Sequence, residues 1–227
     1  MAKMKSQNTI HRKRMMKFFL EAAKDILNDE GIEGLSVRKV ADKSGYNLAT
    51  LYNYFDNIKH LLFYASIGQL TSYVEDLSRT LKENDDPQDI YLKSWRCFCD
   101  HSYNNPDTFY NLFFNNYSDE NVDDSIKTYF EIFPDEINDN LTEYLPMLTE
   151  NNIYERNFFL LKRALQDVNI SDASLVELNE MTVLIYEGIL NNIKTGLIND
   201  KKDAVEKSMT YIQILLEPYG IKRKADL

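Results

Sequence analysis

Between Ser36 and Phe55 the chain has room for two short helices and a sharp turn, and for little else. Ser36 stands where a helix cap belongs, and Val40 and Ala41 come after it at spacings that face them to a core. Ser44-Gly45-Tyr46-Asn47 then breaks the helix, with the glycine placed for left-handed backbone. Leu48 to Asn53 fit one more brief helix. With Leu51 as its inward anchor, and about 100° per residue, Ala49 and Asn53 fall near the opposite side and Thr50 and Tyr52 flank them. The pattern is a helix-turn-helix whose outward face is small or hydrogen-bonding. Such a face suits the major groove, where short side chains let the backbone approach and amides or hydroxyls reach base edges or phosphates. Tyr52 and Tyr54 suit phosphate contact; Leu48 lies about 60° from Leu51 on the wheel, so it belongs to neither face cleanly.

The surrounding charge supports that reading although the total does not. The 227 residues carry 26 Lys or Arg against 36 Asp or Glu, a net charge of −10. Residues 1–65 alone are +4 and residues 66–227 are −14. Lys3, Lys5, Arg12, Lys13, Arg14 and Lys17 precede the first acid, a basic arm of the kind that tracks phosphates or lies as a solvated terminus. Screening over about 8 to 10 Å keeps a distant acidic body from cancelling a local basic face.

Seven glycines and five prolines are too few for a loop-rich all-β chain or for most glycine-cradled nucleotide folds, so the expectation is all-α. The first amphipathic helix spans Arg12 to Asn28 and ends at Gly31 and Gly34. An apolar series from Asn57 through Leu81 predicts one continuous helix of about 25 residues, nearly 40 Å long. Prolines at 87, 106, 134 and 146 divide the rest of the chain, with helices expected at Tyr154–Val168, Ala173–Ile198 and Ala204–Leu216 and loops near Asn115–Asp124 and Asp135–Asn140. Cys97 and Cys99, two apart on a helix, point away from each other and exclude a cystine framework, which fits a cytoplasmic chain. No export or membrane segment is evident. The chain has no Gly-x-Ser-x-Gly elbow, phosphate loop, His-Glu-x-x-His or Gly-x-Gly-x-x-Gly, so the expectation is a non-enzyme. Cys97 and His101 share a helix face, but two ligands do not make a metal site, and no metal or cofactor is expected.

Ser36, Val40, Ala41, Gly45, Thr50, Leu51, Tyr52, Tyr54, Phe55 and Leu61 together resemble the motif of the TetR family of transcriptional repressors. The likeness covers about residues 10–65. It implies residues 1–56 as a DNA-binding domain and 57–227 as a helical ligand-sensing and dimerisation domain. It also implies that Ser36 caps the second helix beside a phosphate, that Arg38 reaches a base or phosphate, and that Asn47, Leu48, Ala49, Thr50, Tyr52, Asn53 and Tyr54 form the DNA face. Tyr46, Asn47 and Ala49 depart from the usual small aliphatic residue, serine and glycine. The family's lysine at the start of the fourth helix falls on Ile58, with Lys59 as the neighbouring candidate.

In such proteins the later helices resemble a chemical sensor, so a small apolar or aromatic effector is expected. Trp95, Phe98, Phe109, Tyr110, Phe113, Phe114 and Phe130 are the candidates to line its cavity. A homodimer is expected because a helix-turn-helix protein reads two half-sites, with Leu178, Ile185, Ile189, Ile212 and Leu216 as candidate contacts. The expectation is thus a ligand-responsive regulator of double-stranded operator DNA, most plainly a repressor. One alternative is a DNA-binding regulator whose acidic body answers to a protein partner, and a remote one is a small helical hydrolase.

Overall fold

Apolar residues spaced three and four apart carry most of the described residues into helices. The computed structural model describes residues 2–114, 125–137, 139–150 and 152–221, and among them there is no strand. In chain order the helices are α1 (Ala2–Gly34), α2 (Val37–Ser44), α3 (Leu48–Tyr52), α4 (Ile58–Ile67), α5 (Leu70–Thr80), α6 (Pro87–Asn104), α7 (Pro106–Phe113), α8 (Ser125–Ile132), α9 (Leu145–Leu148), α10 (Ile153–Ala164), α11 (Asp172–Lys194) and α12 (Lys201–Leu216). The loop expected at Asn115–Asp124 lies outside the described residues. None of the described helices is long and apolar enough to cross a membrane.

The chain packs as two units. The first comprises residues 1–71 and 125–136, the second 72–124 and 137–227. In the first, Phe19 on α1 is fully buried and meets Tyr46, Tyr54 and Phe55 at ring distances of 5.5, 5.8 and 6.2 Å. The same core takes Val40, Ala41, Leu51 and Leu61, all buried as their spacing requires. Tyr46 thereby finds its reason: it is half-buried against Phe18 and Phe19, a packing role in place of a small aliphatic residue.

The expected continuous helix from Asn57 to Leu81 is broken. Gly68 and Gln69 form a tight turn in which Gly68 N donates to Ala65 O (3.2 Å), Gln69 N to Ser66 O (2.9 Å) and Thr71 N to Gly68 O (3.2 Å). A β-carbon at Gly68 would stand 2.5 Å from Lys24 Cε and 2.9 Å from Tyr129 Oη, so any larger residue there would have to displace the ends of those two side chains. Beside this turn α8, which returns from the middle of the chain, packs on α1 and α4. Glu136 holds this junction together. Its carboxylate receives Lys24 Nζ (2.7 Å), Thr71 Oγ1 (2.7 Å) and Tyr129 Oη (2.8 Å), while Lys24 also lies 4.1 Å from the centre of the Phe133 ring.

In the second unit α6, α10, α11 and α12 pack together, with α7 against α11. Trp95, Phe98, Tyr103 and Phe114 gather round Tyr186, with ring centres 5.3 to 6.0 Å from it. Helix α10 ends at Ala164 and α11 at Lys194, each short of the expected end, and a turn comes after each.

Glu136→Ala removes the acceptor shared by Lys24, Thr71 and Tyr129. It is expected to cost about 1–3 kcal/mol, read as a lower urea midpoint; an unchanged midpoint would show that α8 is held by apolar packing alone.

Candidate nucleic-acid interface and effector cavity

Two side-chain caps set the helix-turn-helix. Ser36 Oγ accepts from Lys39 N (3.2 Å) and starts α2; Gly45, at φ 77°, ends it in the left-handed region. Asn47 Oδ1 accepts both Thr50 N (2.8 Å) and Thr50 Oγ1 (3.0 Å) and starts α3. The asparagine that departs from the usual serine therefore keeps the capping role, leaving its amide N–H donors for anything outside.

The outward residues are where the helical wheel put them. Leu51 is fully buried, whereas Leu48, Ala49, Tyr52 and Asn53 are exposed and Thr50 is half-exposed. Ser36 and Tyr54 are half-buried, Tyr54 with its ring on Phe19, and Arg38 and Lys59 are exposed. Lys59 sits in the first turn of α4, one place beyond Ile58 and two beyond the Asn57 cap, whose Oδ1 accepts from His60 N (2.9 Å).

The cations of this unit divide into those spent internally and those left outward. Arg12 donates to the carbonyls of Asn53 (3.0 Å) and Tyr54 (3.4 Å) and lies over the Tyr54 ring, so it straps the end of α3 to α1. The sequence pattern counted Arg12 only as part of a basic arm. Lys13 pairs with Glu131 at 2.7 Å, Lys39 with Glu30, and Lys43 with Asp25 at 3.3 Å. Arg38 makes no ion pair among the described residues, and Arg14 is exposed. The side chains of Lys3 and Lys5 lie outside the described residues.

In the second unit a cavity of about 30 Å³ opens between α5, α6, α9 and α10. Trp95 and Phe98, both expected there, line it together with Tyr73, Ser94, Met147, Arg156 and Asn157. Phe109 and Phe113 back Phe98 at 5.4 and 5.6 Å, and Tyr110 and Phe114 pair with each other at 5.5 Å. Phe130 is not brought to this group: it is buried in the first unit, on α8. Asn157 Oδ1 accepts from Tyr91 Oη (3.0 Å) and Trp95 Nε1 (2.9 Å) while its amide donates to Asn179 Oδ1 (2.9 Å), which fixes the indole plane.

Arg156 was missed by sequence reasoning, although a signal exists. It sits three residues from Ile153 and four from Leu160, on the apolar stripe of α10. The residue is 3% exposed, its guanidinium lies 5.1 Å from the centre of the Phe113 ring and 6.0 Å from that of Phe98, and burial lowers its pKa from the usual arginine value. Burial likewise pushes the Tyr73 hydroxyl upward in pKa and keeps it protonated.

Burial also pushes the Cys97 thiol up to about 12, which suppresses thiolate chemistry. His101 Nε2 meets Asp76 at 3.0 Å, and no group of three metal-ligating side chains occurs among the described residues. Of the residues expected at a dimer contact, Leu178, Ile189, Ile212 and Leu216 are buried in the chain's own core and Ile185 is half-buried. The exposed large apolar side chains of α11 and α12 are Val176, Met181, Leu184, Tyr211 and Ile214.

Residues 19–65, which contain both caps and the buried Leu51 anchor, match the family model described as bacterial regulatory proteins, tetR family. This is a TetR-family domain. The whole chain has the fold of TetR-like regulators: it is similar to FadR of Thermus thermophilus, a TetR-family repressor solved with lauroyl-CoA, at 17% identity and TM-score 0.58, covering 93% of this chain and 98% of that one. It is also similar to RolR solved with resorcinol, at 16% identity and TM-score 0.56, covering 96% and 91%. A Rhodococcus sp. RHA1 protein of unknown function aligns at 13% identity and TM-score 0.52, covering 87% and 92%. No curated protein matches the chain by sequence.

In the TetR-family domain, Asn47→Ala is expected to cost about 1 kcal/mol of stability by uncapping α3. Asn47→Asp, which keeps the acceptor, should melt within about 2 °C of the parent chain. Equal melting of Asn47→Ala and the parent, monitored by circular dichroism, would contradict the capping role.

Proposed function

We propose that the chain is a ligand-responsive transcriptional regulator, acting as a repressor, that binds operator DNA as a homodimer and releases it when a small molecule enters the second unit. The observation that carries the DNA reading is the divided surface of α2 and α3. Apolar Val40, Ala41 and Leu51 are buried while Arg38, Ala49, Thr50, Tyr52 and Asn53 face out, and no acidic residue lies between Asn47 and Phe55. In this reading Ser36 and Tyr54 touch phosphate from the rim, Asn47 and Lys59 hold it with N–H donors, and Leu48 and Ala49 allow close approach.

FadR was solved with an acyl-CoA and RolR with a phenol, and a cavity walled by Trp95 and Phe98 supports an effector with an apolar body here. Such a compound shifts the DNA equilibrium only by its difference in affinity between two forms of the chain. The backbone links the units where α5 runs from residue 71 to 72 and again on either side of 125–136, so a change in the second unit has covalent routes to the first. For the dimer, Val176, Met181, Leu184, Tyr211 and Ile214 form an exposed apolar surface on two helices that pack together.

A gel shift against the DNA flanking the chain's own gene, repeated with a panel of aromatic and aliphatic compounds, tests operator and effector together. A retarded band lost with one compound is expected; capture of a cellular protein with no response to any compound would favour a partner-controlled regulator instead. Arg38→Ala should reduce the slope of log affinity against log salt by about 1 if Arg38 meets phosphate. An unchanged slope would remove Arg38 from the interface. Leu184→Glu should yield monomers by sedimentation, whereas a persistent dimer would place the two-fold contact elsewhere.

A further inference from the structure

Arg156 is a buried cation in an apolar chamber, on which the Glu150 carboxylate acts only from beyond ion-pair distance. Its Nη1 donates to the carbonyls of Leu148 (2.9 Å) and Glu150 (3.1 Å), the Tyr73 hydroxyl lies against the guanidinium, and no carboxylate forms an ion pair with it among the described residues. Neutral acceptors only partly repay the loss of water around a full charge, and a buried charge ordinarily persists only when paired. The described bonds to carbonyls all come from Nη1, whereas a carboxylate is best received along two parallel N–H groups of the planar fork. The wall of the same cavity offers a second unmet group. Ser94 Oγ is buried with no hydrogen-bond partner, although a helical serine ordinarily bonds back to its own helix.

We propose that this cavity takes the carboxylate of a small organic acid, with Arg156 as its counter-ion, Ser94 as an added donor, and Trp95 and Phe98 against its apolar body. The inference rests on the effector reading only for its consequence at DNA; the binding site stands by itself. The cavity has room for about two waters. A larger acid seats by moving lining side chains, of which Met147, unbranched and flexible, yields most readily. An acid seated there forms an ion pair with Arg156 in a low-dielectric site, which is where charge recognition discriminates most against neutral look-alikes.

The test uses the full chain and matched probes: benzoate and hexanoate against benzamide and hexanamide, measured by calorimetry and thermal melting. The carboxylates should bind and raise the melting temperature, and the amides should bind at least tenfold more weakly. Arg156→Gln should weaken carboxylate binding about 10- to 100-fold, and Ser94→Ala about fivefold, each with its circular dichroism spectrum retained. Ser94→Ala keeps the test open if Arg156→Gln fails to fold. Equal binding of amides and acids, an undiminished response in folded Arg156→Gln or in Ser94→Ala, or no binding of either acid would overturn the proposal. A separate gel shift distinguishes it from the effector reading. If acids bind through Arg156 yet operator DNA stays bound, the site stands and the effector reading falls. If only neutral compounds bind and release DNA, the reverse holds.

Discussion

A helix of five residues does not hold its shape in water, because nucleation costs more than so few backbone bonds return. Helix α3, Leu48 to Tyr52, is that short, and every residue assigned to the DNA face depends on it. Its shape is imposed from outside. Leu51 and Phe55 are drawn into a core built on Phe19, Asn47 caps the first turn, and Arg12 holds the carbonyls just beyond the last. The orientation of Thr50 and Tyr52 toward solvent is thus a consequence of what Leu51 and Phe55 bury, and α1 is the platform that decides it.

That dependence explains how a strongly acidic protein keeps a surface fit for a polyanion. Acids on α1 are used up against lysines of α2, as in Lys39 with Glu30 and Lys43 with Asp25, while Glu131 and Glu136 neutralise Lys13 and Lys24. Arg38 is left facing outward, beside a recognition segment that contains no acid. The local arrangement, more than the sum of −10, governs what approaches over a screening length of about 8 to 10 Å.

Where one element's own periodicity decides the outcome, the sequence was legible. The cap at Ser36, the left-handed Gly45 and the inward Leu51 arise from spacing and turn chemistry and appear as read. Where a partner from afar in the chain decides, it was not. At Gly68, where the helix breaks, Lys24 and Tyr129 come close, and the glycine alone, set in an apolar series from Asn57 to Leu81, does not tell a break from a tolerated helical glycine. Phe130 belongs by composition with the aromatic body but packs in the first unit, because α8 folds back there. For the stripes of α11 and α12, spacing showed that Leu178 and Ile212 face something apolar without showing whether that is the chain's own core, which it is. Arg156 was hidden because a single charge on an apolar stripe looks like a solvated residue until both neighbours on the stripe are seen to be buried. The second unit thus has an aromatic shell that composition foretold and a charged centre that it did not.

Dimethyl sulfate footprinting of the bound upstream fragment tests most directly whether α3 reads DNA, because the reagent methylates guanine N7 in the major groove. Protection of guanines is predicted in two symmetric half-sites whose centres lie about one helical turn or a multiple of it apart. A chain that binds the fragment yet leaves every guanine N7 open to the reagent would show that α3 does not enter the major groove.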